Sequence, residues 1–500
     1  MQLGKLCEDI EYTILQGDIN TEIIDIRYNS KYVQPGDLFV CIVGSMTDGH
    51  NYIDSAVKKG AAAVILENES FCKSVPKEIT VIKVASGRAA LARISATYFD
   101  HPSQKLKTIG ITGTKGKTTT AYLIKKILDT AGKKTGLIGT ISVIIGNQRT
   151  ESVNTTPESY ELQKIMSDMV DSGCEYLVME VSSQGVKLNR TDGIIFDYGI
   201  FTNLSPDHIS PTEHESFDEY LFCKSRLFTH CRTGIVNVDD PYVDKIISGH
   251  TCSIVTYSLK QTADYMARQI KFFKKNGILG VDFEIQGKLH HNVRVDLPGE
   301  FSVYNALAAI STCNELGIPE DIIWNSITHT QVKGRMEPVH ISDNLHVYID
   351  FAHNGISARA ALETLKMYGA DRITCVFGCG GNRSRERRIG MGKAVGELAD
   401  MAILTTDNPR YEKVSVINED IKNAIEKAGG KYIEIDNRKE AIAYAITHAK
   451  KDEFIITFGK GHEKYIEIEG VRYYYSEHET IHQIENEIKS GKRHMEYIAL

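Results

Sequence analysis

The sequence predicts an α/β chain in three domains, and three observations carry that reading. Residues 106–112 form a short apolar strand. It runs through the turn Gly113-Thr114-Lys115-Gly116-Lys117-Thr118-Thr119 into a helix over 120–131 with Leu123, Ile127 and Leu128 on one face. Strand–helix alternation recurs on both sides of this stretch, and several strands end in polar clusters. The 500 residues, at roughly 100–200 per domain, imply about three domains. Three separate strand–helix series, each with polar strand ends, place them at 1–102, 103–333 and 334–500.

Composition narrows the function classes. With 42% hydrophobic and 25% charged residues the chain reads as an ordinary soluble globular protein. A net charge of −7 with no basic block argues against nucleic acid as a partner. No run of 18 apolar residues predicts a membrane span, and no apolar core of a secretory signal follows the first ten residues. The ten cysteines are scattered without a CxxC pair, as expected of reduced thiols in a cytoplasmic protein.

In the first segment, residues 33–44 are a turn followed by a strand, 52–59 a helix, 60–65 the lead into another strand, and 85–98 a helix. His101-Pro102 closes that helix, because proline disfavours helical backbone in the residue before it. The linker is expected at 99–105.

The middle segment opens on the glycine turn, which suits phosphate. Its backbone N–H groups and the following helix N-terminus point at one spot, Lys117 adds a point charge, and the Thr118 hydroxyl is a magnesium donor. The alternative is a plain βα turn. Asn154, Thr155 and Thr156 precede Pro157 and a helix, so their hydroxyls are either helix caps or ligand contacts. The strand within 175–186 ends in Glu180, a magnesium ligand or a solvated strand-end carboxylate. The strand within 196–210 ends in Asn203, Asp207 and His208. Residues 220–228 form an amphipathic helix on which Lys224 would ordinarily face solvent, and Asn305 opens a helix over 306–316.

In the last segment, polar clusters follow consecutive strands: Asp350-Phe351-Ala352-His353, then a glycine turn with Arg383, Arg385, Arg387 and Arg388, then Asp407-Asn408-Pro409-Arg410, then Gly459-Lys460-Gly461-His462-Glu463. Such a series describes the ligand-binding edge of an open α/β sheet. The arginines are either solvated or an anion clamp.

A strict Walker A loop needs glycine where Ile111 stands. The tighter form here, Thr112-Gly113-Thr114-Lys115-Gly116-Lys117-Thr118-Thr119, resembles the ATP loop of the Mur ligase family, which joins amino acids to carboxylates through acyl phosphates. Further stretches resemble the same family in the same order. They include Tyr28-Asn29-Ser30-Lys31, Pro35-Gly36-Asp37-Leu38-Phe39-Val40, Gly44-Ser45-Met46-Thr47-Asp48-Gly49 and the clusters at 154–157, 180, 208, 224, 305 and 407–410.

The resemblance implies a smaller α/β N-terminal domain for the UDP-sugar, a central P-loop-type, mostly parallel ATPase domain, and a Rossmann-like C-terminal domain for the amino acid. It implies ATP contacts at Gly113, Thr114, Lys115, Gly116, Lys117, Thr118, Thr119, Asn305, Arg335 and Asp350. Lys117, Glu180, His208 and Lys224 are implied as catalytic. Mg²⁺ would fall to Thr118, Glu180, His208 and Lys224, the last as a carbamate derived from CO₂. UDP-sugar contacts fall on Ser30, Asn154, Thr155, Thr156, Ser182 and Arg190. The amino acid falls to Arg388, Asp407, Asn408, Pro409, Arg410, Gly459 and Glu463. The implied reaction adds meso-diaminopimelate to UDP-N-acetylmuramoyl-L-alanyl-D-glutamate in a cytoplasmic monomer, with hinge closure near residue 334.

The chain departs from the family pattern at Asn29, Lys31, Gln184, Leu188 and Ser302. Four alternatives stand beside this reading. They are a Mur-type ligase for L-lysine or a specialised pathway, another superfamily ligase such as a folylpolyglutamate synthetase, a P-loop kinase or nucleotide switch, and a non-catalytic binding homologue.

Overall fold

Short runs of β-branched and aliphatic residues bounded by glycine become strands, and the longer periodic stretches between them become helices. The computed structural model describes all residues except 45, 46, 207, 208, 210–212, 276, 343, 344 and 496–500. The chain packs into two compact units, one of Met1–Met266 with Leu307–Ile323 and one of Ala267–Ala306 with Trp324–Leu500.

The first unit holds two sheets. A five-stranded sheet runs in the order Thr13–Gln16, Thr80–Lys83, Ala63–Leu66, Leu38–Val40, Ile26–Arg27, parallel apart from the first strand. Val40, Ile65 and Ile82 bury on one face while Phe39, Val64, Leu66 and Val81 bury on the other. Burial on both faces is why these strands are continuously apolar. The helix Gly87–Tyr98 covers one face and ends ahead of Pro102, as expected.

The second sheet is centred on Lys107–Thr112, flanked in parallel by Tyr176–Glu180 and Phe196–Phe201. Beyond them Thr135–Ile138 pairs with Tyr176–Glu180, and Cys231–Asn237 and then Ser253–Ser258 extend the other side, all parallel. Strands on the two sides of residue 102 therefore belong to different sheets. The helix after the glycine turn spans Lys117–Thr130, three residues earlier than the pattern predicts, so Lys117 and Thr118 lie in its first turn. The helix containing Asn305 spans Glu300–Glu315 and begins before that residue rather than after it.

The second unit is built on a six-stranded sheet in the order Glu337–Ser342, Leu345–Asp350, Glu453–Phe458, Ile373–Phe377, Met401–Leu404, Tyr432–Glu434. All but the first strand run parallel, so the segments after Asp350, Phe377, Leu404 and Phe458 emerge on one edge. Three of the arginines placed on a glycine turn by the sequence lie instead in the helix Arg385–Leu398. No helix among the described residues is long and apolar enough to cross a membrane.

Behind the sheet edge lies a buried ion pair. Arg438 donates to both oxygens of Glu477, at 2.9 and 2.6 Å, and to the carbonyls of Phe458 and Thr406 at 2.8 and 3.3 Å. Burial raises the Glu477 carboxyl, but the Arg438 guanidinium pulls it back further, to below its ordinary value of 4.5. A depressed carboxyl stabilises above its unfolded value, so this contribution is full above about pH 4.5 and is lost as pH falls below it. Glu477→Ala strands the Arg438 cation in the interior. It is expected to cost about 3–5 kcal/mol of the second unit's stability, read as an earlier midpoint in denaturant titration.

Candidate active site

The glycine turn has the backbone that phosphate cradling needs. Gly113 and Gly116 take φ values of 149° and 88°, where L side chains are strained. A Cβ on Gly113 would stand 1.9 Å from Thr202 Oγ1, so only glycine fits without movement. The loop is pinned from outside: Asn203 accepts from the Lys115 N–H at 3.0 Å and donates to its carbonyl at 3.1 Å. Lys117 folds back to donate to the carbonyls of Gly113 and Thr114 at 2.7 and 3.1 Å. Lys224, which the helical pattern alone would turn to solvent, is 2% exposed and donates to the Gly113 carbonyl at 2.8 Å.

Glu180 is 1% exposed, which removes the solvated strand-end reading. Its Oε2 accepts from the hydroxyls of Thr118 and Thr140, both at 3.0 Å, and its Oε1 accepts from the Thr140 N–H at 2.8 Å. A carboxylate beside a hydroxyl at a phosphate loop is a hard-oxygen donor set, which suits Mg²⁺ with phosphate oxygens and waters completing the shell. The residues present therefore fit that ion. Among the described residues no three His, Cys, Asp or Glu side chains gather into a metal-holding group. His208 and Asp207 lie outside the described residues.

The threonines at 155 and 156 are not helix caps. The Thr156 hydroxyl donates to the Glu180 carbonyl at 2.9 Å and accepts from the Ser182 N–H at 3.0 Å, and Thr155 meets Thr140 at 3.0 Å. Arg190 donates to the Thr156 carbonyl at 2.9 Å and pairs with Glu158, which Arg88 also grips at 3.0 Å. Tyr28 donates to Glu161 at 2.9 Å, and burial raises the Glu161 carboxyl against the opposing pull of that hydroxyl. These contacts join the segment around Tyr28 to the helix Ser159–Asp171. Ser30 is buried and offers its carbonyl to Lys59, while Gln184 is exposed.

In the second unit the polar clusters of the sequence meet at the sheet edge. Asn408 donates to Glu463 at 2.9 Å, and Arg410 Nη1 donates to the Gly381 carbonyl at 2.7 Å. Asp407 presses against Gly459, where a Cβ would meet its Oδ2 at 2.3 Å and φ is +101°. Both arginines expected to receive carboxylates already have protein partners. Arg388, 4% exposed, donates to both oxygens of Glu412 at 2.8 Å and to Asp420 at 3.3 Å. Arg410 Nε stands 3.3 Å from Glu467. The Arg388 hydrogen bond holds Glu412 below the ordinary carboxylate range in spite of partial burial. Asp350 accepts from the N–H groups of Met336 and Ala352, both at 2.8 Å, and Arg335 stacks over the Phe351 ring at 5.0 Å.

Sequence reasoning passed over Thr140, Glu158, Arg88 and Lys460. Thr140 follows the strand Thr135–Ile138 through Gly139, the same strand-then-glycine signal that marked the phosphate loop. Lys460 stood in a flagged cluster without a role. Glu158 and Arg88 are joined only by the tertiary fold.

Comparison with known proteins matches three family models: Mur ligase family, catalytic domain, over residues 22–99; Mur ligase middle domain over 111–313; and Mur ligase, glutamate ligase domain, over 334–461. The chain is 40% identical over 497 residues to UDP-N-acetylmuramoyl-L-alanyl-D-glutamate–2,6-diaminopimelate ligase 1 of Clostridium acetobutylicum, with 98% of each chain covered. It is 41% identical over 467 residues to a ligase of that name from Caldanaerobacter subterraneus, covering 93% of this chain and 95% of the relative. A solved ligase structure, also named for 2,6-diaminopimelate, is similar at a TM-score of 0.68 and 27% identity, across 97% of this chain and 99% of the other.

The crowding at Gly113 gives a direct check. Gly113→Ala is expected to destabilise the first unit by about 1–3 kcal/mol, as overpacking does. Thermal unfolding should show Thr202→Ala partly restoring the loss in the double variant, since it removes the atom the new methyl meets.

Proposed function

The chain belongs to the Mur ligase family, and from that premise we propose that it is an ATP-dependent amide ligase adding meso-diaminopimelate to UDP-N-acetylmuramoyl-L-alanyl-D-glutamate in peptidoglycan precursor synthesis. The observation that carries this reading is that one chain, similar over 98% of its length to a diaminopimelate ligase, holds both a phosphate loop against Glu180 and an Asp-Asn-Pro-Arg sheet edge.

The chemistry follows from the reactants. A carboxylate is a poor electrophile, and transfer of the ATP γ-phosphoryl group turns it into an acyl phosphate with a good leaving group. The amine then attacks the acyl carbon, the amide forms, and phosphate departs. Most of the catalysis is charge neutralisation and positioning.

In this reading Lys117 and the N–H groups of residues 113–119 hold the phosphates, and Asn305, Arg335 and Asp350 hold the rest of the nucleotide. Thr118, Glu180, His208 and Lys224, the last as a carbamate, hold Mg²⁺. Bound Mg²⁺ would supply charge neutralisation at the transferring phosphoryl group. Ser30, Asn154, Thr155, Thr156, Ser182 and Arg190 orient the UDP-sugar acceptor. Arg388, Asp407, Asn408, Pro409, Arg410, Gly459 and Glu463 receive the diamino acid. The segments 1–102, 103–333 and 334–500 are the acceptor, nucleotide and amino-acid domains of a cytoplasmic monomer.

Two experiments test the reading. Phosphate release by purified enzyme, with a panel of UDP-muramoyl acceptors and amino acids, should favour meso-diaminopimelate over L-lysine by on the order of 10³-fold or more in kcat/KM. The two differ by a distal carboxylate, which an arginine fork binds and a lysine side chain lacks. Arg410→Ala should erase most of that preference, and comparable use of L-lysine by the unaltered enzyme would sink the assignment.

The burial of Lys224 beside the loop supports a role for it there, and the carbamate follows from the family resemblance. Lys224→Ala should be nearly inactive, bicarbonate should reactivate enzyme stripped of CO₂, and short carboxylic acids should partly rescue the alanine variant. An unaltered rate in that variant would refute the carbamate.

A further inference from the structure

Lys460 is fully buried, at 0% exposure, in the turn after the strand Glu453–Phe458. An interior ammonium is costly unless it is partnered, and here two hydrogen bonds and a nearby carboxylate partner it. Nζ lies 2.8 Å from Asn408 Oδ1, 2.8 Å from Glu463 Oε2 and 3.6 Å from Asp407 Oδ1. The ring of Tyr465 lies 5.2 Å away on a further side.

These contacts fix the neighbours. Asn408 Oδ1 also accepts from the Glu467 N–H at 2.9 Å, and its Nδ2 donates to Glu463 Oε2 at 2.9 Å. With two donors facing the oxygen and a carboxylate facing the nitrogen, the amide has one orientation. Glu463 Oε2 thus takes both Lys460 and Asn408. Its Oε1 accepts from no group among the described residues, and the side chain is 18% exposed. Two carboxylates, Asp407 and Glu463, share the one ammonium.

We propose that Lys460 is a positioning residue, locking Glu463 through Oε2 and Asn408 through Oδ1 so that Glu463 Oε1 meets the distal ammonium of the diamino acid. This rests on the amino-acid site of the proposed function. The open Oε1 of Glu463 is the complement of that ammonium. A hydrophobic residue at 460 would fill the same space but leave Glu463 held by Asn408 alone and two carboxylates in unrelieved repulsion.

The test uses full-length enzyme with ATP, the UDP-muramoyl dipeptide and meso-diaminopimelate. Lys460→Met and Lys460→Gln should raise KM for meso-diaminopimelate about tenfold or more, through the loss of charge-assisted hydrogen bonds. KM for ATP and for the UDP-dipeptide should stay within about twofold. In a Glu463→Gln background the same substitutions should add little, because the group they position has already lost its charge.

A folded Lys460→Met enzyme with unchanged KM for meso-diaminopimelate overturns the proposal. So does a parallel rise in all three KM values, or a failure of both variants to fold, since each makes Lys460 a folding group. If the unaltered enzyme does not turn over meso-diaminopimelate, it is the proposed function that fails, which separates the two ideas.

Discussion

The carboxylate of Glu180 is the constraint on which the first unit's site depends. A carboxylate at 1% exposure must be met by donors, and Thr118 and Thr140 meet it. Thr118 belongs to the first turn of the helix Lys117–Thr130, and Thr140 follows the strand Thr135–Ile138. The Glu180 carbonyl, through the Thr156 hydroxyl, reaches the loop at 154–156. One buried charge thereby ties three separate strand ends into a fixed arrangement. Gly139 shows how tight the fit is, since a Cβ there would stand 2.4 Å from Glu180 Oε1. A rigid polar arrangement of this kind is what electrostatic preorganisation requires.

Local signals were legible in the sequence and distant partnerships were not. The phosphate loop, the strand ending in Glu180 and the polar ends of the last segment all follow from spacing within about ten residues. The start of the helix at Lys117 lies ahead of the sequence reading because Lys117, Thr118 and Thr119 read as the end of the glycine turn, and threonine is a weak former of helix interiors. The arginines after residue 382 read as a cationic loop because their partners are invisible from nearby sequence: Glu412 and Asp420 lie 24 and 32 residues from Arg388. The same distance effect hid Arg88, 70 residues from its partner Glu158. For Lys224 the helical pattern alone points to solvent and only the family resemblance points to the loop, since an amphipathic pattern does not say which lysine a neighbouring loop will cover.

The pairing of Arg388 and Arg410 with protein carboxylates bears on discrimination. A cation with a partner in hand gives little to a weak competitor, and a second carboxylate must either share the guanidinium or displace Glu412 or Glu467. A ligand that lacks the matching carboxylate makes no such exchange and leaves both guanidiniums paired. In the proposed amino-acid site, internal pairing would therefore spare the wrong amino acid the penalty of an unpaired buried cation, so that discrimination rests on what the right carboxylate gains by the exchange.

The order of strands in the second unit has a consequence for how the molecule is made. Glu453–Phe458 lies between Leu345–Asp350 and Ile373–Phe377, although it follows both by many residues. During synthesis the sheet must hold a vacant slot, or stay open, until that strand leaves the ribosome, on the order of ten seconds after Phe377 at about 5–20 residues per second. For that interval the apolar edges of both neighbours lack their partner, and each is a template for wrong pairing. Chaperone dependence and aggregation in this protein should therefore trace to the last quarter of translation, while the first unit, all of which has already been made, folds ahead of it.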